Sequence, residues 1–274
     1  ISSITASRIL SENRADLEKA MERLASGKRI NSAADDAAGM AVAAKMRADI
    51  GSLNQSVRNT NDAISLVNTY DGAAAEIESI LIRMRELAVQ TRNGTYEEAD
   101  RTNANFEYTA LKNEITRIAG VSAFNRMTVG QGATTANGTT TSADTGFTFY
   151  VGSDVAKTGN SITFSAKALD LNLAVSSGTL NSVVDATSAG QAIATLDDAI
   201  TELAANRAQA GALINRLEHT VSNLMNVSQR LQEAVSGIED ADYAAESANL
   251  ARGMVLAQAG TAMLAQANQA PQYI

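Results

Sequence analysis

No cysteine and no tryptophan occur among the 274 residues, and the single proline is Pro271. Without thiols there is neither a disulfide nor a thiolate metal site. With proline confined to the far end, helices can run long distances without a break. Aromatic side chains make up 4% of a chain that is 45% hydrophobic, so much of the apolar share is alanine. That balance favours slim, closely packed helices over a thick core. Histidine is scarce too: His219 has no second imidazole to share a metal or a proton with. Acidic residues outnumber basic ones, at a net charge of −8, which makes nucleic acid a poor partner. No apolar run reaches the roughly 18 residues of a membrane span. The opening ISSITASRIL lacks the charged and apolar blocks of a cleavable secretory signal. No Gly-rich phosphate loop, cofactor motif or nucleophile–base pair is visible, so neither catalysis nor a cofactor is expected.

What the chain does have is helical period. Leu196, Ile200, Leu203, Arg207, Ala210, Ile214, Leu217, Val221, Leu224, Ser228, Leu231, Val235 and Ile238 alternate four and three apart. That is a heptad seam, and it predicts a helix roughly 60 Å long. Such a stripe cannot be buried by its own helix and needs other long helices alongside. Val67, Tyr70, Ala74, Ile77, Leu81, Met84 and Ala88 repeat the spacing, and Leu111, Ile115 and Ile118 continue it after a break at Asn93 and Gly94. The ends carry weaker seams, with Leu10, Leu17 and Leu24 at one and Leu250, Met254, Ala257, Thr261, Leu264 and Asn268 at the other. Two such helices can pair as a coiled coil that is marginal by itself. Either they order against neighbouring copies or they pack on their own bundle, and periodicity does not separate the two.

Between the helical halves, residues from about 127 to 186 are rich in Gly, Thr, Ser and Asn. GATTANGTTTSADTG reads as a solvated loop, and FTFYVG and SITFSA as two short strands of a hairpin. The expected fold class is mainly α: a long antiparallel helical bundle or coiled-coil rod built from both halves, with a small β-hairpin region in the middle.

Several stretches resemble bacterial flagellins: LASGKRINSAADDAAGMAVA at 24–43, RNTNDAISL at 58–66, RMRELAVQTRNGT at 83–95 and FEYTALKNEITRIAGVSAFN at 106–125. At the other end, IEDADYAAESANLARGMVLAQAGTAMLAQANQAPQ at 238–272 is similar as well, so only about 130–186 lies outside the likeness. The resemblance implies five segments. Residues 1–35 and 239–274 are the halves of a terminal coiled-coil domain, 36–130 and 187–238 the halves of a helical rod, and 131–186 a short variable region with a hairpin. Members of the family usually begin a few residues earlier and extend a few apolar residues further, so trimmed ends are an expectation here.

The function the resemblance implies is a structural subunit that polymerises into the extracellular flagellar filament for swimming. The alternative is a hook–filament junction protein, which shares related terminal helices, although RELAVQ and LAQANQAPQ favour the filament subunit. Implied partners are further copies of the chain, hook-associated junction and cap proteins, an export chaperone gripping the C-terminal helix, and the flagellar type III export apparatus. No nucleic acid and no membrane is implied. The terminal seam residues Leu10, Leu17, Leu24, Leu250, Met254, Ala257 and Leu264 would then carry polymerisation. Filament supercoiling is implied near Phe124 to Val129. Arg83, Leu87, Gln90 and Glu107 match positions at which flagellins bind the innate immune receptor Toll-like receptor five. Spacing places Arg83, Leu87 and Gln90 on one helix face, away from Leu81, Met84 and Ala88, with Leu87 exposed. In filaments that face is expected to be covered.

Two other classes are weighed against this. An enzyme would need the His-Glu-x-x-His of a metalloprotease insert, and residues 127–186 hold no histidine. A free adhesin or coiled-coil effector would stay monomeric under nucleating conditions. Acidic pairs are expected to be structural: Asn31, Ser32, Asp35 and Asp36 as helix caps, Asp197 and Asp198 near a helix start, and Glu239 and Asp240 as helix surface. Asn93, Asn137 and Asn226 open Asn-x-Ser/Thr triplets that chance explains, and hydroxyls in 133–145 are candidate glycan acceptors.

Overall fold

The computed structural model describes residues 2–130, 146–152, 159–165, 169 and 182–269. Helix α1 covers Ser2–Ser26 and stops at Gly27, whose φ of 70° suits glycine and whose N–H closes on the Arg23 carbonyl at 2.9 Å. Helix α2 covers Ala37–Arg92 and is capped by Asp36, whose carboxylate accepts the Gly39 N–H at 2.8 Å. Helix α3 covers Glu98–Val121 and opens with a reciprocal capping box between Glu97 and Asp100. The break between α2 and α3 falls at Asn93 and Gly94, turn-forming residues of low helix propensity.

A tight hairpin follows, with β1 (Ala123–Phe124) paired antiparallel to β2 (Met127–Thr128). Asn125 and Arg126 between them both have positive φ, which gives the turn a twist that matches antiparallel strands. The expected second hairpin is formed by β3 (Phe147–Tyr150) and β4 (Ser161–Phe164), in register from Phe147 opposite Phe164 to Tyr150 opposite Ser161. Helix α4 covers Ala186–Glu239 and α5 covers Tyr243–Gln269, capped by Asp185 and Asp242 in turn. Asp197 therefore lies well inside α4, not near its start: the helix begins earlier because Asp185 accepts the N–H groups of Thr187 and Ser188.

The chain forms two compact units that part inside α2 and α4, one being 52–225 and the other 1–51 with 226–274. In the first, α2, α3 and α4 surround a core of Tyr70, Ile77, Leu81, Met84, Tyr108, Ile115, Leu196, Leu203 and Leu217, each 1% exposed or less. Ion pairs fix the direction of α4 along α2: Arg207 holds Asp71 and Glu78, and Arg85 holds Asp197. Rising numbers on one helix meet falling numbers on the other, so the pair is antiparallel. Arg207, which breaks the apolar seam, sits at its margin and reaches out to these carboxylates. The edge of the Tyr70 ring meets Phe164 at 5.3 Å, tying the β3–β4 hairpin to the helices. Burial pushes the Tyr70 hydroxyl up to about 12, with Glu202 and Asp71 adding to the effect.

In the second unit, α1 and α5 pair antiparallel. Leu17 lies over Gly253, Leu10 over Gly260, and Arg23 bonds Glu246 at 2.8 Å. The junctions beside this coil are joined by backbone: Arg29 N–H donates to the Glu239 carbonyl at 2.6 Å and Ala241 N–H to that of Gly27 at 3.0 Å. Most of the expected variable region, including Asn137 and the hydroxyls of 133–145, lies outside the described residues.

Candidate functional site

Two surfaces contain the residues singled out from the sequence. The first is the α1–α5 coil. Leu10 is 8% exposed, and Leu17, Leu24, Leu250, Ala257 and Leu264 are half-buried along the seam. Met254 does not join them: it is 52% exposed, and Thr261 is exposed as well. The seam of α5 runs instead through Glu246, Leu250, Gly253, Ala257, Gly260 and Leu264. The tight approach is at Gly260, where a Cβ would meet Leu10 at 3.2 Å, whereas one on Gly253 would meet Leu17 at an ordinary 3.5 Å.

The outer flank of α5 is left apolar, with Val255 68%, Leu256 47% and Met263 64% exposed. On α1, Ile4 is 76% and Ile9 53% exposed. These uncovered aliphatic side chains are available for contact.

Charge fixes the register of the coil. Arg23 first, and then Asn249, hold the Glu246 carboxyl below the usual carboxylate range, against the opposing effect of desolvation. Asp35 is held low mainly by Lys19, at 2.8 Å, and by the Ser32 N–H at 3.0 Å, which links the loop after α1 back to α1. Asp35 and Asp36 are thus helix-junction caps.

Glu239 is not ordinary surface, contrary to expectation from the sequence. Its side chain is 6% exposed and sits between Arg47, at 3.0 Å, and Lys28, at 3.4 Å. A carboxylate at the end of α4 opposes that helix's dipole, and two cations from other segments offset the cost. Only the tertiary partners reveal this role, because nothing in the local sequence distinguishes Glu239 from Asp240.

The second surface joins α2 and α3. Arg83 bonds Glu107 at 2.9 Å and Glu86 at 3.1 Å, and all three side chains are well exposed. Glu107 first, then Glu86, hold the guanidinium above its ordinary range. Gln90 donates to the Tyr96 hydroxyl at 2.9 Å. Leu87 departs from expectation: it is 2% exposed and belongs to the core with Tyr108 and Ile115. Helix α3 lies along a second flank of α2, so residues one step off the main seam are covered as well. Phe106, beside Glu107, is 70% exposed. These surfaces offer contact faces, and among the described residues no group of three His, Asp or Glu is placed to hold a metal ion. No helix among them is long and apolar enough to cross a membrane.

Residues 1–135 match the family described as the bacterial flagellin N-terminal helical region, and residues 193–274 match the bacterial flagellin C-terminal helical region. The chain is 42% identical over 257 residues to a flagellin of Halalkalibacterium halodurans, covering 94% of this chain and 90% of that protein. It is 37% identical over 276 residues to the flagellar filament 33 kDa core protein of Treponema phagedenis, covering 100% of this chain and 96% of the other. Among solved structures, a flagellin of Bacillus cereus superposes with a TM-score of 0.51 at 35% identity, over 61% of this chain and 88% of that one.

Proposed function

The chain belongs to the bacterial flagellin family, and from that premise we propose that its α1–α5 coil is the part that neighbouring copies complete. It is a structural subunit that polymerises into the flagellar filament, outside the cell, and serves motility. The observation that carries the role of the coil is the uncovered stripe of Val255, Leu256 and Met263 on a helix whose inner seam has only Gly253, Ala257 and Gly260 at its centre. Two helices so lightly joined gain most by burying that stripe on further helices. Repetition of one such contact by a rotation that does not close on itself builds a fibre. The same stripe is the surface that an export chaperone would grip before the type III apparatus passes the chain outward, and junction and cap proteins would meet it at the two ends of the filament. The β1–β2 hairpin is where a two-state packing change would let the filament supercoil.

The test is seeded growth followed by electron microscopy. Val255→Asp is expected to abolish elongation while the helicity of the 52–225 unit is unchanged. Growth at the normal critical concentration would overturn the role given to the coil.

The α2–α3 face supports recognition by Toll-like receptor five through Arg83, Gln90 and Glu107, whose polar ends are exposed and mutually oriented. Leu87 acts behind that face as a support and not as a contact. Arg83→Ala is expected to lower receptor signalling by monomer about tenfold or more, the scale of a charged contact at an interface hot spot, with unfolding unchanged. Leu87→Asp would instead place a carboxylate in the core and lose signalling through lost structure. Full signalling by Arg83→Ala refutes the assignment.

A further inference from the structure

The only histidine of the chain lines a cleft of about 600 Å³ between α4 and the β3–β4 hairpin. Arg216, His219 and Asn223 stand three and four apart, so they project from one face of α4. Asn160, just before β4, also lines the cleft, and buried Leu53 and Ile162 form part of the floor. Arg216 and His219 are both exposed, and among the described residues neither side chain has an ion pair. A guanidinium, an imidazole and the Asn223 amide over an apolar floor form a receptor for a carboxylate on an aliphatic stem. The chain as a whole carries a charge of −8. Copies of it repel one another unless acidic surface is met by local positive charge.

The opposite end of the same unit supplies that acidic surface. Glu97, Glu98 and Asp100 open α3 at the turn after α2, where they outnumber Arg101 and are all exposed. Glu97 and Asp100 are engaged in the helix cap, whereas the exposed Glu98 carboxylate takes no part in it. At about 1.5 Å per residue, α2 carries the chain roughly 60 Å from Leu53, beside the cleft, to Arg92, beside that turn. A receptor at one end of a unit and its complement at the other cannot meet within one copy.

We propose that the Arg216–His219 cleft receives Glu98 of a second copy, making a head-to-tail contact along the polymer. This rests on the filament reading and adds to it a contact independent of the α1–α5 coil. The contact is heterologous, using two different patches, and such contacts propagate along a line and do not pair off into closed dimers.

Critical concentrations for seeded growth test it, using full-length wild type, Arg216→Glu, Glu98→Lys and a chain carrying both changes. Each single change is expected to raise the critical concentration about tenfold or more. The doubly changed chain restores opposite charges at every contact and is expected to return to within about threefold of wild type. Far-UV circular dichroism checks that each variant is folded. Single variants that grow like wild type, or a double variant whose defects multiply, overturn the contact while leaving the filament reading in place. A wild type that does not extend seeds overturns that reading, and the contact with it.

Discussion

The 52–225 unit and the paired terminal helices are both antiparallel helical assemblies, yet they solve burial in opposite ways. In the first, Tyr70, Ile77, Leu81, Met84, Leu196 and Leu203 are completely covered by the chain's own α2, α3 and α4. In the second, the seam opposite Leu10 and Leu17 is glycine, and the larger side chains of α5, Met254, Val255 and Leu256, face outward. Three helices enclose a core, whereas two helices leave most of their circumference open. One region is closed by its own folding and the other is left open, and the difference is written in where the bulky residues sit around each helix.

The sharpest way to break this contrast is to hollow the finished region. Leu81→Ala removes a fully buried side chain and is expected to cost about 2–5 kcal/mol, read as a lower urea midpoint of the main helical transition. The equivalent truncation on the outer flank, Val255→Ala, is expected to leave that midpoint unmoved. A smaller effect of opposite sign comes from Gly253→Ala. A methyl group there meets Leu17 at an ordinary 3.5 Å, so the helix gains roughly 0.5–1 kcal/mol of propensity without a clash. Slower hydrogen exchange in α5 of the monomer is the measurement that checks it. An increase in exchange would show that the glycine is required for packing.

The smallest expected effect concerns pH. Arg23 and Asn249 lower the Glu246 carboxyl in the folded coil relative to its ordinary 4.5. Its contribution is therefore present above that value and lost as pH falls below it through the folded-state value. An acid titration of α1–α5 helicity should show this loss, and Glu246→Gln should flatten it while leaving the 52–225 unit unaffected.

Long seams were legible because each is a repeated statement. Every position from Leu196 to Ile238 that the four-three alternation marks is at least half-buried, and so is every one from Val67 to Ala88. The break at Asn93 and the FTFY and SITF strands were also readable, since turn residues and strand-forming side chains act locally. What escaped depends on partners. Leu87 is buried because α3 covers a second flank of α2, which a single-stripe reading treats as solvent. Gly253 and Gly260 escaped because a search for apolar bulk passes over small residues on a seam. Glu239 escaped because its cations, Arg47 and Lys28, are nearly two hundred residues or more away along the chain.

Gly130 has a mechanical corollary. The chain leaving β2 presses against the last turn of α3 so closely that any side chain at Gly130 would overlap the Ala119 carbonyl. Val129 is bonded to Ser122 and Gly130 to Leu169, so the small hairpin is riveted on both sides. A residue larger than glycine in place of Gly130 would have to lift the hairpin off the end of α3 and break those two bonds.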